Sequence, residues 1–252
     1  MMAFLLSTKT DRVATISMNK PEVYNALTPD LIEALTSAFK EADADESIDY
    51  IIFKGEGKGF CAGLDLQWAL TIQSDNVVAI VEQYFNTLTK AIHLCSKPVI
   101  CLLHGPASGA GASLVLACDI ILASEQGSLA FPFLGLGLQP DTGMAYYLKQ
   151  RVGYHQAFEW LLEGKKLTVD ESVEHKLVQK KFTDETTMTD YLSFYLKSLS
   201  QLQSGAGKSL KSLLIGQSSF EETLKKEAEQ QALAVKGGML KVKIEEFFKS
   251  RK

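Results

Sequence analysis

Three features of the chain could do chemistry. Two are glycine clusters, Gly55–Leu66 (GEGKGFCAGLDL) and Gly105–Gly111 (GPASGAG), each directly after a short apolar run. Glycine lets backbone approach a ligand closely, and the helix that follows the second cluster aims its amide end at the same place. Two such amides converging on one anionic atom would form an oxyanion hole, which stabilises charge developing on a carbonyl oxygen. An ordinary glycine-rich turn explains the same spacing equally well. The third feature is Asp141, in the loop Gln139-Pro140-Asp141-Thr142-Gly143. Aspartate between proline and glycine is by default a turn former. All of the second cluster and Asp141 lie within Val99–Gly143, where a reaction centre is expected.

Other candidates are weaker. The histidines His93, His104, His155 and His175 have no ligand spacing, so no metal is expected. His104, just before the second glycine cluster, is expected to hydrogen-bond within it. Asp65 and Asp119 are expected to hold loop and helix ends through their main-chain amides. Ser204–Ser209 (SGAGKS) looks like the end of a phosphate-binding loop, but the motif's first glycine would fall at Leu202 and no strand precedes it. It is read as a helix connection.

The elements that must position these residues alternate. Phe4–Met18 is β-branched and alternating, a strand that Asn19-Lys20-Pro21 ends. Thr28-Pro29-Asp30 starts a helix with Thr28 as its N-cap. Tyr50–Lys54 is a buried strand, and a helix from about Val78 to Leu94 follows, stopped by Lys97-Pro98. Val99–Leu103 is a strand, Ala110–Ala117 a tightly packed helix and Asp119–Ala123 a strand. Met144–Val152 and Tyr154–Glu163 are helical with Gly164 as C-cap, Thr168–His175 is a short helix, and Leu177–Phe182 a short strand. Beyond Asp184 the pattern is almost entirely helical. Short apolar strands alternating with helices imply an α/β fold with a mostly parallel core. The division expected is an α/β core over residues 1–190 and a C-terminal helical segment over 191–252.

Composition excludes several classes. With 46% apolar and 22% charged residues the chain reads as globular, and a net charge of −4 gives no case for nucleic acid or an anionic membrane. Cys61, Cys95, Cys101 and Cys118 sit in apolar or glycine-rich segments, as reduced core thiols do. The N-terminus lacks a basic signal region, and polar breaks interrupt Val99–Ala123, so neither a signal peptide nor a membrane span is expected. The expected location is cytoplasmic.

Four segments together, NKPEVYNAL (19–27), GKGFCAGLDL (57–66), HGPASGAGASLVLACDIILAS (104–124) and PFLGLGLQPDTG (132–143), resemble the enoyl-CoA hydratase/isomerase, or crotonase, superfamily. The likeness covers nearly the whole chain and extends to a C-terminal EEFFKSR. It implies a spiral of ββα units with C-terminal helices that assemble a homotrimer or hexamer. The implied partner is an acyl-CoA thioester, whose coenzyme A arrives with the substrate, so no separate cofactor is implied. The thioester oxygen would be held by the amides of Leu64 and Ala110, each worth roughly 3–4 kcal/mol in the transition state. Substrate contacts are implied for Tyr24, Ala26, Leu27, Ala62, Gly63, Asp65, Leu66, Trp68, Gly109, Phe133 and Phe248, with Phe247 as an alternative to Phe248.

The departures from the family pattern are informative. Hydratases of the family carry two glutamates, one where this chain has Ser113 and one where it has Phe133. Serine is a weak base and phenylalanine transfers no proton. Asp141, however, stands eight residues beyond Phe133, the register at which dienoyl-CoA isomerases, ring-epoxide phenylacetyl-CoA isomerases and a benzoyl-CoA dehalogenase carry a functional aspartate. The expectation is therefore an enoyl-CoA isomerase in which Asp141 moves the proton, walled by Phe131, Phe133 and Leu134. The alternatives are a hydratase using an unconventional acid and a non-catalytic acyl-CoA-binding scaffold.

Overall fold

The computed structural model of the chain describes residues 4–215, with 222, 225, 229–231 and 249 beyond them. The chain forms two compact units, Met1–Tyr191 and Leu192–Lys252. The first opens with a hairpin of β1 (Leu5–Thr10) and β2 (Val13–Met18), antiparallel with Leu5 opposite Met18. The sequence reads as one strand here. The structure breaks it at Asp11, whose φ of 52° suits a two-residue hairpin turn. Residues 7–12 (STKTDR) are all polar, so hydrophobic periodicity carries no mark of where the chain turns.

Helix α1 (Pro29–Ala44) buries Leu31, Ile32, Leu35 and Phe39. Thr28 sits at its N-cap position, but its hydroxyl caps no helix amide and instead accepts from Lys20 Nζ at 3.3 Å. Next come β3 (Tyr50–Gly55) and a single helical turn, α2 (Leu66–Ala69). The helix expected over 78–94 is three pieces: α3 (Val77–Ile80), a π-helical turn (Val81–Asn86) and α4 (Thr87–His93). Then follow β4 (Val99–Leu103), β5 (Pro106–Ser108), α5 (Ala110–Ala117), β6 (Ile120–Ser124) and β7 (Ser128–Ala130). Helix α6 (Met144–Glu163) is broken at Gly153, which has a φ of 81°, and ends in a left-handed Gly164. Strand β8 (Lys166–Thr168) leads into α7 (Val169–Glu174), whose Thr168 and Glu171 form a reciprocal capping box. The expected strand over 177–182 is shorter, β9 (Lys180–Phe182). Helix α8 (Glu185–Leu199) crosses into the second unit, which contains α9 (Ala206–Leu214). Gly205, within the segment resembling a phosphate loop, is the left-handed N-cap of α9, so the segment follows α8 and leads into α9 with no strand before it.

The main sheet has the order β1-β2-β3-β4-β6-β9, parallel except for β1. A small second sheet, β5-β7-β8, was not foreseen from three-residue runs. All eight residues of α5 are buried, which explains its composition of small and aliphatic side chains without a polar stripe. The core beneath the first glycine loop is aromatic. Phe53 meets Phe39 and Phe60 edge-on, with ring centroids 5.2 and 5.3 Å apart, and all three are fully buried. Phe53→Ala should therefore lower unfolding free energy by about 3–5 kcal/mol, read from denaturant midpoints at unchanged m-value.

Candidate active site

The loop after β3 is built on Asn25, which is fully buried with a φ of 55°. Its side-chain amide donates to the carbonyls of Glu56, Gly59 and Phe60, each at 3.0 Å, and its Oδ1 accepts from Lys20 N at 2.8 Å. Asparagine tolerates the left-handed backbone and satisfies several otherwise orphaned groups at once. The loop then runs beside residues 24–27. Ala62 N donates to Tyr24 O, Leu27 N to Gly63 O and Asp65 N to Leu27 O, at 2.8, 2.7 and 3.1 Å. This parallel bridge pairs Leu27 with the residues on either side of Leu64. The N–H of Leu64 itself therefore faces away from Leu27.

The first loop packs against the second backbone to backbone, with Cys61 and Ala107 in a parallel bridge. A Cβ on Gly63, whose φ is +90°, would stand 2.5 Å from Ser108 O and 3.3 Å from Ala110 N. A Cβ on Gly111 would stand 2.3 Å from Cys61 O. Neither position admits a side chain, and the peptide leading into Leu64 is brought against the amide of Ala110. Ala110 is the first residue of α5, so its N–H has no partner within the helix. The peptide that carries the Leu64 N–H thus lies beside the N-terminus of α5, where main-chain amides without helical partners favour negative charge. His104 Nε2 lies 3.0 Å from Gly57 O, so it ties the second loop to the first and not to its own glycine cluster.

Asp141 lies against the same helix. Its carbonyl accepts from Met144 N at 2.9 Å and from Ser113 Oγ at 3.5 Å, and Ser113 Oγ also reaches Gly109 O at 3.4 Å. The Ser113 hydroxyl thus spans from the first turn of α5 to the acid's main chain. Thr89 Oγ1 of α4 donates to Thr142 O at 3.4 Å, and Thr142 Oγ1 donates to Asp141 Oδ1 at 2.8 Å. Burial pushes the Asp141 carboxyl above its ordinary range, against the smaller opposing effect of the Thr142 hydroxyl. The Phe133 ring tip reaches to 4.0 Å from where a Cβ on Gly109 would stand, so an apolar ring covers the N-terminus of α5. At the other end of α5, Arg151 donates to the carbonyls of Leu116, Cys118 and Leu177 at 2.7, 3.1 and 3.4 Å.

The remaining expectations divide. Asp65 caps α2 by accepting from Trp68 N at 2.8 Å, and Asp119 accepts from Val99 N at 2.8 Å, both as expected of structural acids. Trp68 stacks on Phe85 at 5.8 Å and meets Tyr84 edge-on, on the outer side of the first loop. Leu66 and Tyr24 are exposed, whereas Ala26 and Leu27 are buried and shape the loop from beneath. Phe247 and Phe248 lie outside the described residues. Asn25, Thr89, Thr142 and Arg151 were not singled out in the sequence. Of these only Asn25 carried a signal, as a turn-forming residue directly before the buried Ala26-Leu27 pair. Among the described residues no group of three His, Cys, Asp or Glu side chains could hold a metal, and no helix is long and apolar enough to cross a membrane.

Known proteins share this architecture. The chain is 33% identical over 189 residues to the 1,2-epoxyphenylacetyl-CoA isomerase of Escherichia coli (strain K12), covering 74% of this chain and 72% of that one. It is 31% identical over 180 residues to 4-chlorobenzoyl coenzyme A dehalogenase-2 of Arthrobacter sp, covering 69% and 64%. The crystal structure of enoyl-CoA hydratase from Bacillus anthracis matches in fold with a TM-score of 0.88 at 23% identity, over 99% of this chain and 97% of that one. The family model for enoyl-CoA hydratase/isomerase matches residues 8–247. By fold and by sequence, the chain belongs to the enoyl-CoA hydratase/isomerase, or crotonase, superfamily.

Proposed function

We propose that the chain is an enoyl-CoA isomerase that moves a double bond through a thioester enolate. Asp141 acts as the base, and the amides of Leu64 and Ala110 hold the enolate oxygen. The observation that carries this reading is Asp141, whose main-chain carbonyl accepts from Ser113 in the first turn of α5 and whose carboxyl, held at Oδ1 by Thr142, is raised by burial. Removing a proton from a 3-enoyl thioester gives a dienolate whose charge rests on the thioester oxygen. Returning the proton at C4 gives the conjugated isomer. One carboxylate can perform both steps where water is kept away, and Phe133 supplies apolar cover. At Ser113 the hydroxyl is engaged by two carbonyls, and at Phe133 no proton can be exchanged. This supports isomerisation over two-glutamate hydration. The relative named an isomerase of a CoA thioester supports the same class. With the reading go the family's homotrimer or hexamer and a substrate that brings its own coenzyme A, without a further cofactor.

Asp141→Asn should lower turnover of a 3-enoyl-CoA by about 10²–10⁴-fold while leaving CoA-thioester binding intact. An unaltered rate in that variant overturns the assignment. Binding without turnover by the parent protein would indicate a non-catalytic scaffold, and 3-hydroxyacyl-CoA carrying oxygen from labelled water would indicate a hydratase.

The raised carboxyl also sets two pH effects. The base must be ionised, so kcat should fall with acidification along a limb above the ordinary carboxylate range. A carboxyl raised in the folded state binds more protons folded than unfolded. Its contribution to stability is therefore full below the unfolded value and lost as pH rises through the folded one. Ionisation of Asp141 therefore weakens the fold, and Asp141→Asn should melt no lower than the parent in calorimetric scans on the alkaline side of that titration.

A further inference from the structure

Beside the proposed base stands a residue that the turn does not need. Thr142 is buried and has a φ of 54°, in the left-handed region where a β-branched side chain is a rare outlier. Glycine or asparagine would take that backbone with less strain. The turn has main-chain anchors of its own: Asp141 O accepts from Met144 N at 2.9 Å, and Gly143 O accepts from Tyr147 N at 3.0 Å. What threonine adds is its hydroxyl, which donates to Asp141 Oδ1 at 2.8 Å. Strain retained in a buried turn for one bond to a carboxylate suggests a functional use.

We propose that Thr142 is a positioning residue for proton transfer, its hydroxyl fixing Asp141 Oδ1 so that Oδ2 alone takes and returns the substrate proton. The proposal rests on Asp141 being the base. In the forward step the C2–H bond breaks and the proton forms a bond to Oδ2. The C–H electron pair enters the dienolate, with its charge on the thioester oxygen. In the second step the Oδ2–H bond breaks, C4 takes the proton, and the charge collapses into the conjugated enoyl thioester. No proton is gained or lost overall. A carboxyl free to rotate about its last side-chain bond could give the proton to water between the two steps. One anchored at Oδ1 keeps the proton on the substrate side.

No competing charge governs this carboxylate among the described residues. Side chains that reach its loop are Ser113 from α5, Thr89 from α4 and Tyr147 from α6. Neither hydroxyl is charged, and burial keeps the Tyr147 phenol protonated. His93 packs against the Tyr146 and Tyr147 rings at 5.9 and 5.5 Å.

The test uses full-length protein and a 3-enoyl-CoA carrying deuterium at C2, converted in ordinary water. The measurements are the deuterium found at C4 of the product, kcat and KM. The parent should carry label to C4. Thr142→Val keeps the shape without the hydroxyl, and Thr142→Gly removes the strain as well, so that it folds even if the valine variant does not. Both should lose at least about half of the carried label to solvent. Both should lower kcat about tenfold or more with KM within about twofold. Their acid limb should move to higher pH, because a carboxylate without its donor is protonated more easily. Thr142→Ser restores the hydroxyl and should recover label transfer and rate. Label transfer and turnover at parental levels in the valine and glycine variants, with Asp141→Asn inactive, would overturn the role of Thr142 alone. A serine variant that leaks label as the valine variant does would overturn it too. An active Asp141→Asn would instead remove the base, and both proposals with it.

Discussion

The site depends on the close approach of two backbones. Residues 59–63 lie on residues 105–111 with no room for a Cβ at Gly63 or Gly111. Both loops must therefore be held from outside their contact. Asn25 does this for the first by donating to three of its carbonyls, and the Leu27 bridge continues the pairing as far as Asp65. The second is continuous with α5, whose complete burial fixes it in the core. A buried helix leaves carbonyls at its C-terminal end that need donors, and Arg151 supplies them. At the other end, where the first loop comes closest to Ala110, the proposed reaction uses the amides of Leu64 and Ala110.

The same helix also organises the acid. Ser113 reaches from the first turn of α5 to the main chain of Asp141, and Arg151 ties α6, which Asp141 precedes, back to the last turn of α5. In the proposed reaction, donor pair and carboxyl are thus referred to one rigid element, as catalysis by positioning requires. The costs are local: a carboxyl raised by desolvation, a strained threonine and an apolar ring laid over a helix terminus. Proteins usually retain such features where chemistry uses them. Membership of a superfamily named for two reactions does not fix the reaction, and the proposed one rests on Ser113, Phe133 and Asp141.

Much of the frame was legible from residue type. The β4–α5–β6 order follows from apolar runs on either side of small residues, Gly164 marks the end of α6, and Thr168 announces the capping box that forms. Local patterns are blind where pairing partners are distant. The three-residue strands of the small sheet have no periodicity of their own, and the hairpin at Asp11 hides within an all-polar run, residues 7–12. The π-helical turn at Val81–Asn86 keeps a helical composition while changing its hydrogen bonding. At the site, the glycine clusters were visible as glycine, and their convergence was expected from it. Asp141 was visible only as a turn former until its register was set beside a family. The use of Thr142 was not visible at all, because a dihedral angle and a neighbour's Oδ1 define it.

A crystal structure with an unreactive acyl-CoA bound would address enolate chemistry most directly. The thioester oxygen should lie about 3 Å from both Leu64 N and Ala110 N, with the Asp141 carboxylate about 3–3.5 Å from C2 of the acyl chain. A thioester oxygen away from the two amides, or an Asp141 carboxylate turned from the chain, would rule that chemistry out at this site.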